Sequence, residues 1–277
     1  MKRVSYWLLL VGLILVQELP LLWMLSTALR PETGFLLPTS TWREITLSNF
    51  GRLITSTNFL RWCLNSVMVS VVSAGTAAVL GNLFALSLRF VQMRVYRHVR
   101  NLVLAAYVVP SMFLVLPIQW GLASFPRLAS LFFLPLIYQV FLLPVCVWIG
   151  SSYVDRIPLG VIAMARLEHL DMWSAIRLVY IPYAGRALWV SFALSLVLSM
   201  QEYVYGFLLL SDQHWHTLPV GIAALQAGDI YQWSLIAAAG VVCSLIAIMI
   251  LISCNRLLFG AMTRVFGRAA GEAGVEM

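Results

Sequence analysis

Charge is what this sequence has least of. Asp, Glu, Lys and Arg make up 10% of its 277 residues and hydrophobic residues 61%; a soluble domain carries about 25% charged residues. A water-soluble fold of this size has nowhere to hide so much apolar surface, so the chain reads as a polytopic membrane protein. Lysine is nearly absent, Lys2 being the only one, so arginine carries the formal net charge of +7. The arginines cluster beside apolar runs. Anionic lipid and the positive-inside rule account for that placement without nucleic acid.

Paired cysteines are missing as well. Cys63, Cys146, Cys243 and Cys254 lie inside or at the edge of apolar runs, with no close CxxC spacing. They read as buried small hydrophobes, not as a disulfide framework or a metal site. There is no P-loop, no GxGxxG and no Ser/His/Asp grouping. His214 and His216 flank Trp215 at a spacing that suits a metal, but no third ligand is near in sequence, and a solvated loop pair is the plainer reading. The chain thus shows no catalytic chemistry, and any energised work draws on another subunit. The first apolar run follows Lys2 and Arg3, as a signal peptide would. It is longer than such a core, and Leu29-Arg30-Pro31 is no small-residue cleavage site, so it reads as a retained first span.

Long hydrophobic runs are what the sequence has instead. Crossing the hydrocarbon core takes about 20 apolar residues in a helix. Charge-free runs of that order are Trp62–Leu88, Asn101–Pro126, Leu128–Val154 and Ile230–Asn255. Two more, Tyr6–Leu29 and Ala187–Leu210, hold one acid each, Glu18 and Glu202. The expectation is a single all-α transmembrane domain over residues 1–277, with six spans at roughly 6–29, 62–88, 101–126, 128–154, 187–210 and 230–255 and a loop at 155–186. Only Arg127 parts the third and fourth spans, which predicts a tight hairpin.

Six spans place both termini on one side. With the N-terminus inside, the inner segments hold Lys2, Arg3, Arg89, Arg94, Arg97, Arg100, Arg156, Arg166, Arg177, Arg186, Arg256, Arg264 and Arg268. The outer ones hold Arg30, Arg43, Arg52, Arg61 and Arg127. That excess predicts cytoplasmic termini and a cytoplasmic 155–186 loop. Pro20, Pro110, Pro117, Pro135 and Pro144 interrupt the spans. The backbone groups they free need protein or water partners, which points to packed spans around a cavity, though many kinks are structural only. Ser66, Ser70, Ser73, Ala74, Gly75, Ala77, Ala78 and Gly81 allow close helix contact in the second span, either within the bundle or at a subunit seam.

The loop from Asp155 to Arg186 holds four arginines and reads as a helix, a turn and a second helical stretch. Pro158 can open a helix at its first turn. Val161, Ile162, Ala165 and Leu167 then alternate with Arg166, Glu168 and His169, and Asp171 begins a second stretch, Met172–Tyr180, ending at Ile181-Pro182. Such a helix, lying along the inner face, meets a soluble partner on one side and the spans on the other.

The layout of Ile157-Pro158, Trp173 fifteen positions after the proline, Arg177 and Ile181-Pro182 resembles the EAA loop of ABC importer permeases. Four further segments resemble the second permease subunit of maltose-type carbohydrate importers. They are Leu22-Trp23-Met24-Leu25-Ser26-Thr27-Ala28-Leu29-Arg30-Pro31, Arg61-Trp62-Cys63-Leu64-Asn65-Ser66, Gln201-Glu202-Tyr203 and Thr217-Leu218-Pro219-Val220-Gly221, the last like a re-entrant element. Together they cover nearly the whole chain in order.

The resemblance implies an all-α, type I importer-like permease with a cytoplasmic coupling helix in the cell (inner) membrane. Its implied partners are a second permease subunit, two ATP-binding cassette ATPase subunits, an extracytoplasmic solute-binding protein and membrane lipid. ATP and Mg belong to the ATPases, and this chain binds no cofactor. The docking residues would be Ala163, Met164, Ala165, Arg166, Leu167, Glu168 and His169. The loop departs from the pattern, however: Ala163 stands at the motif's glutamate, Glu168 at its aspartate and His169 at its glycine. Glycine there permits a turn or close backbone approach that a side chain hinders. The docking contacts are therefore expected to be altered, unless the loop has simply diverged and kept the fold.

Acids within spans are costly in lipid and must face protein or water. Gln201, Glu202 and Tyr205, with Asn65, are the expected substrate-pathway residues, on a route where sugar hydroxyls find polar partners and ring faces find aromatics. Glu202 could equally make a structural contact to another helix. Glu18, just before Pro20, could satisfy a donor freed at the kink. The rival readings are a stand-alone secondary transporter or channel, which should show inverted repeats or paired membrane charges, and a non-transporting assembly subunit.

Overall fold

The computed structural model describes residues 2–31, 45–90, 98–103, 105, 111–123, 130–226, 232–250 and 252–253. Arg127 of the expected hairpin, Cys254, Pro110, and Arg43, Arg94, Arg97, Arg256, Arg264 and Arg268 of the charge count lie outside them. The main helices in chain order are α1 (Lys2–Ala28), α2 (Ser48–Thr55), α3 (Phe59–Phe90), α4 (Ser111–Ala123) and α5 (Gln139–Val154). They continue as α6 (Leu159–Leu167), α7 (Trp173–Ala184), α8 (Arg186–Met200), α9 (Val204–Leu209), α10 (Leu218–Ala224) and α11 (Trp233–Ile250).

α3 is the axis of the bundle. Its 32 residues rise about 48 Å, enough to cross the hydrocarbon core with turns to spare at both rims. α5 and α8 pack along it and against each other. The face of α3 that receives them is built of small residues: Ser66, Ser70, Ser73, Ala74, Ala77 and Ala78 are all buried. Small side chains let helix backbones approach closely where lipid offers no hydrophobic incentive to do so. Large apolar side chains such as Leu64, Val71, Leu80 and Phe84 occupy the outward face, the arrangement of a helix whose solvent is lipid. α3 and α11 are each long and apolar enough to cross a membrane by themselves. The protein is a multi-pass, all-α membrane protein.

Two corners shape one end of the bundle. α5 turns into α6 through 95°, and α7 turns into α8 through 74°. The 155–186 loop is therefore folded across the bundle end instead of prolonging the spans. At the other end, α1 is fastened by Asn49, buried on α2, whose Nδ2 donates to the carbonyls of Ala28 (2.8 Å) and Arg30 (2.7 Å). Those are carbonyls that a helix C-terminus leaves without an internal partner. Met24 and Ala28 then pack on Ala237, Ala238 and Val241 of α11. Glu18 stands exposed on α1, and Pro20 lies inside that helix.

The structure differs from an unbroken 187–210 span. The helix stops at Met200 and resumes at Val204. Glu202 explains the restart: its carboxylate accepts the N–H groups of Tyr205 (2.9 Å) and Gly206 (3.4 Å). An acid is favourable at a helix N-terminus, where N–H groups otherwise go unpaired.

Candidate functional site

The loop helix is assembled from its turn outward. Asp155, Arg156 and Ile157 follow α5 as a turn, with the Asp155 N–H donating to Ser151 O at 2.8 Å. Arg100 Nη1 donates to Asp155 Oδ2 at 2.8 Å, pinning the corner to the 98–103 helix. Pro158 immediately precedes α6, and its carbonyl accepts from Val161 and Ile162. Ile162 and Ala165 point inward onto Leu86, Val154, Ile157 and Val179. The opposite face is bare and largely apolar: Leu159 and Met164 are each 66% exposed and Leu167 78%, with Ala163 beside them. Arg166 folds back, its Nη2 donating to Arg89 O near the end of α3 at 3.0 Å.

α6 closes in a Schellman motif. Leu170 N–H donates to Ala165 O and His169 N–H to Arg166 O, both at 3.1 Å, the paired 6→1 and 5→2 bonds of that cap. The motif needs a left-handed residue, and His169 supplies it with φ 48°. Next, Asp171 Oδ2 accepts the Trp173 N–H at 3.1 Å. The Ser174 hydroxyl first, then backbone N–H groups including that of Trp173, hold the Asp171 carboxyl below its usual range. The second stretch does not end at Ile181-Pro182. It runs through a π turn, Ile176–Tyr180, into Ile181–Ala184. Pro182 sits in the first turn of that last piece, where its missing N–H costs nothing. Of the seven expected docking residues, Ala163, Met164, Leu167, Glu168 and His169 thus face outward, Ala165 packs inward, and Arg166 is exposed but tied to α3.

The four expected pathway residues are not brought to one surface. Gln201 is exposed and lines a mostly aliphatic cleft of about 450 Å³ with Met200, Leu218, Pro219, Ser244 and Ala247, between α8, α10 and α11. Glu202 is half-buried and caps α9. Tyr205 is buried, its ring parallel to Phe141 with centroids 6.3 Å apart and 6.5 Å from that of Tyr138. Asn65 is spent on the 211–217 loop, its Nδ2 donating to His214 O and His216 O at 3.0 Å each.

That loop joins two of the resembling segments physically. Arg61 Nη1 lies 2.9 Å from His214 Nδ1. Arginine only donates, so Nδ1 is the acceptor of this bond. Trp62 Nε1 donates to Gln213 O at 2.9 Å, and Ser66 Oγ accepts the Leu218 N–H at 2.6 Å. Gly221 lies flat on the Trp62 ring, where an added Cβ would stand 2.1 Å from a ring carbon. His216 is buried, which pushes its imidazole below the ordinary range, with the Leu210 backbone and the Asp212 charge opposing. Among the described residues no three His, Cys, Asp or Glu side chains gather as a metal site.

Asn82, whose Oδ1 accepts the Tyr180 hydroxyl at 2.7 Å, stands in none of the resembling segments. A carboxamide inside a charge-free run was the available signal, because such a group must find partners away from water.

No family model matches the chain. It is 26% identical over 244 residues to the sulfoquinovosyl glycerol transport system permease protein SmoH of Agrobacterium fabrum, covering 87% of this chain and 86% of that one. It is 25% identical to the trehalose transport system permease protein SugB of Mycobacterium tuberculosis, covering 94% and 96%. With the trehalose/maltose transport system permease protein MalG of Thermococcus litoralis the identity is 22%, covering 98% of each chain. Among solved structures, a bacterial ABC transporter involved in the import of the acidic polysaccharide alginate has a chain matching at a TM-score of 0.69 and 17% identity, covering 92% of this chain and 95% of that one. The MetNI methionine ABC transporter matches at 0.58 and 17%, covering 73% and 95%. The chain therefore resembles sugar-transport permease proteins along nearly its whole length and has the fold of the ABC importer permeases.

Proposed function

We propose that this chain is the transmembrane permease subunit of a binding-protein-dependent ABC importer that moves a carbohydrate across the cell membrane. The relatives are named for sulfoquinovosyl glycerol, trehalose and maltose, which supports a sugar or glycoside as cargo. One structural observation carries the mechanism: α6 is clamped to the bundle by one face and bare on the other. A bare apolar face on a loop is a docking surface, and its occupant is an ATPase subunit. ATP and Mg are held by two such subunits, and this chain hydrolyses nothing itself. A second permease subunit completes the pathway, and an extracytoplasmic solute-binding protein delivers the cargo. An alginate importer of this fold has been solved in complex with a pentasaccharide-bound periplasmic protein.

Closure of the ATPase dimer moves the docking loop, and the spans pass between inward-facing and outward-facing states, with energy from the partner biasing the two. Gln201, on the cleft between α8, α10 and α11, is the pathway residue this chain offers to substrate. Glu202 caps α9, Tyr205 packs on Tyr138 and Phe141, and Asn65 holds the His214 and His216 carbonyls. Both termini and the 155–186 loop lie in the cytoplasm, as the arginine distribution favours.

The test is purification in mild detergent from the native host, with identification of co-purifying proteins and uptake assays in reconstituted vesicles. The expected result is an ATPase in the complex and vanadate-sensitive sugar uptake. Transport by the lone chain in liposomes would overturn the reading in favour of a secondary transporter or channel.

A further inference from the structure

Asn82 is buried without any exposed surface, on the stretch of α3 that faces the loop. Its Nδ2 donates to Ala78 O at 2.7 Å and to Ser191 Oγ of α8 at 3.0 Å. Its Oδ1 accepts the Tyr180 hydroxyl at 2.7 Å. One amide thus joins α3, α8 and the π turn that ends the docking loop. α5 closes over it: a Cβ on Gly150 would stand 2.8 Å from the same Oδ1 and 3.1 Å from Ala85 Cβ, so only glycine allows this approach. The Arg166 bond to Arg89 O ties α6 to the same helix two turns further on. The loop is therefore held to α3 at two heights.

A compliant piece of chain flanks the Tyr180 tie. The π turn Ile176–Tyr180 is followed by Pro182 and by the 74° corner into α8. π turns interrupt helices at functional sites and weaken the regular ladder. Without the Tyr180 bond, displacement of the docking loop is absorbed by the π turn and the corner. With it, displacement reaches α3 and α8 together.

We propose that Tyr180, Asn82 and Ser191 form the joint that transmits docking-loop motion to α3 and α8, acting as positioning residues for transport. The inference rests on the reading of α6 as an ATPase-docking helix.

The test uses the assembled complex, with its ATPase and binding protein, in vesicles. Tyr180→Phe removes one hydroxyl and leaves the ring in its cluster. The ATPase should stay bound and keep hydrolysing, while substrate moved per ATP falls roughly three- to tenfold, the range expected from one interhelical hydrogen bond in a membrane. Ser191→Ala, which removes the α8 partner alone, should give the same fall. Gly150→Ala, which presses on Asn82 Oδ1 from the fourth side, should also lower the ratio. An unchanged ratio in both hydroxyl variants, with or without a drop in melting temperature, overturns the joint and leaves the cluster a packing feature. Failure of the docking reading is seen separately, as a wild-type complex that contains no ATPase.

Discussion

At the residue scale, His169 shows how a sequence departure is absorbed. The residue stands where the resembling family has glycine, and the structure keeps the glycine's conformation, with φ 48° and both Schellman bonds made. The cap is preserved and the histidine carries the strain. A side chain in the left-handed region costs on the order of 1 kcal/mol or more, so His169→Gly should stabilise the folded protein by about 1 kcal/mol. Thermal melting in detergent checks this; a lower melting temperature in the variant would show that the imidazole makes a contact worth more than the strain. Gly221 gives the opposite case. Its missing Cβ is occupied by the Trp62 ring, so Gly221→Ala should displace α10 or the indole and cost about 1–3 kcal/mol. The emission spectrum of Trp62, isolated by replacing the other tryptophans, is the readout. The sequence made the positions of His169 and Gly221 legible, through motif spacing. It did not make the φ or the indole contact legible, because neither is a property of a residue type.

At the element scale, the 211–217 loop is held by side chains reaching backbone. Asn65→Ala removes both donors to His214 O and His216 O. Stranding those carbonyls should cost about 2 kcal/mol and speed proteolysis at 211–217. The same element responds to pH through His216. Its pKa is lowered by burial, so the folded state prefers the neutral ring and the unfolded state takes up the proton first. The stabilisation is complete above the ordinary imidazole value of about 6.5 and is lost as pH falls through that value toward the folded one. Between pH 8 and pH 5 the melting temperature should fall further for the native chain than for His216→Gln; equal slopes would remove His216 as the cause. Elements were legible where one rule governs them. α3 follows from a long charge-free run and α6 from Pro158 and a mixed face. The break at 201–203 was not legible, because an acid within an apolar run reads as a pathway group until its carboxylate is found on the N–H groups of Tyr205 and Gly206. Asn65 belongs with it: a polar residue entering a span suggests substrate, and its Nδ2 bonds to His214 O and His216 O were not readable from the sequence.

At the scale of the whole molecule, the multi-pass all-α architecture was legible because lipid imposes length on apolar helices, while the arginines supply an expectation of sidedness. The gathering of α3, α5, α7 and α8 around Asn82 was not, since a contact among four distant segments leaves no local pattern. Among the described residues, nothing covers one face of α6. Leu159, Ala163, Met164 and Leu167 form one apolar strip, and Arg166, the cation beside it, is turned back onto Arg89 O. An ATPase docked on this strip, as proposed, would be held by hydrophobic contact, and raising ionic strength should weaken that little. A charge placed in the strip should act strongly, because a carboxylate buried without a partner is far costlier than a lost methyl contact. Met164→Glu should thus strip the ATPase from the complex while leaving the melting temperature of the isolated chain unchanged, since the Met164 side chain touches solvent and not the core. Met164→Leu should retain it. ATPase recovered per permease on affinity purification, in low and high salt, measures both effects. Full retention by Met164→Glu would place the docking surface elsewhere on the loop, with exposed Trp173 the next position to change.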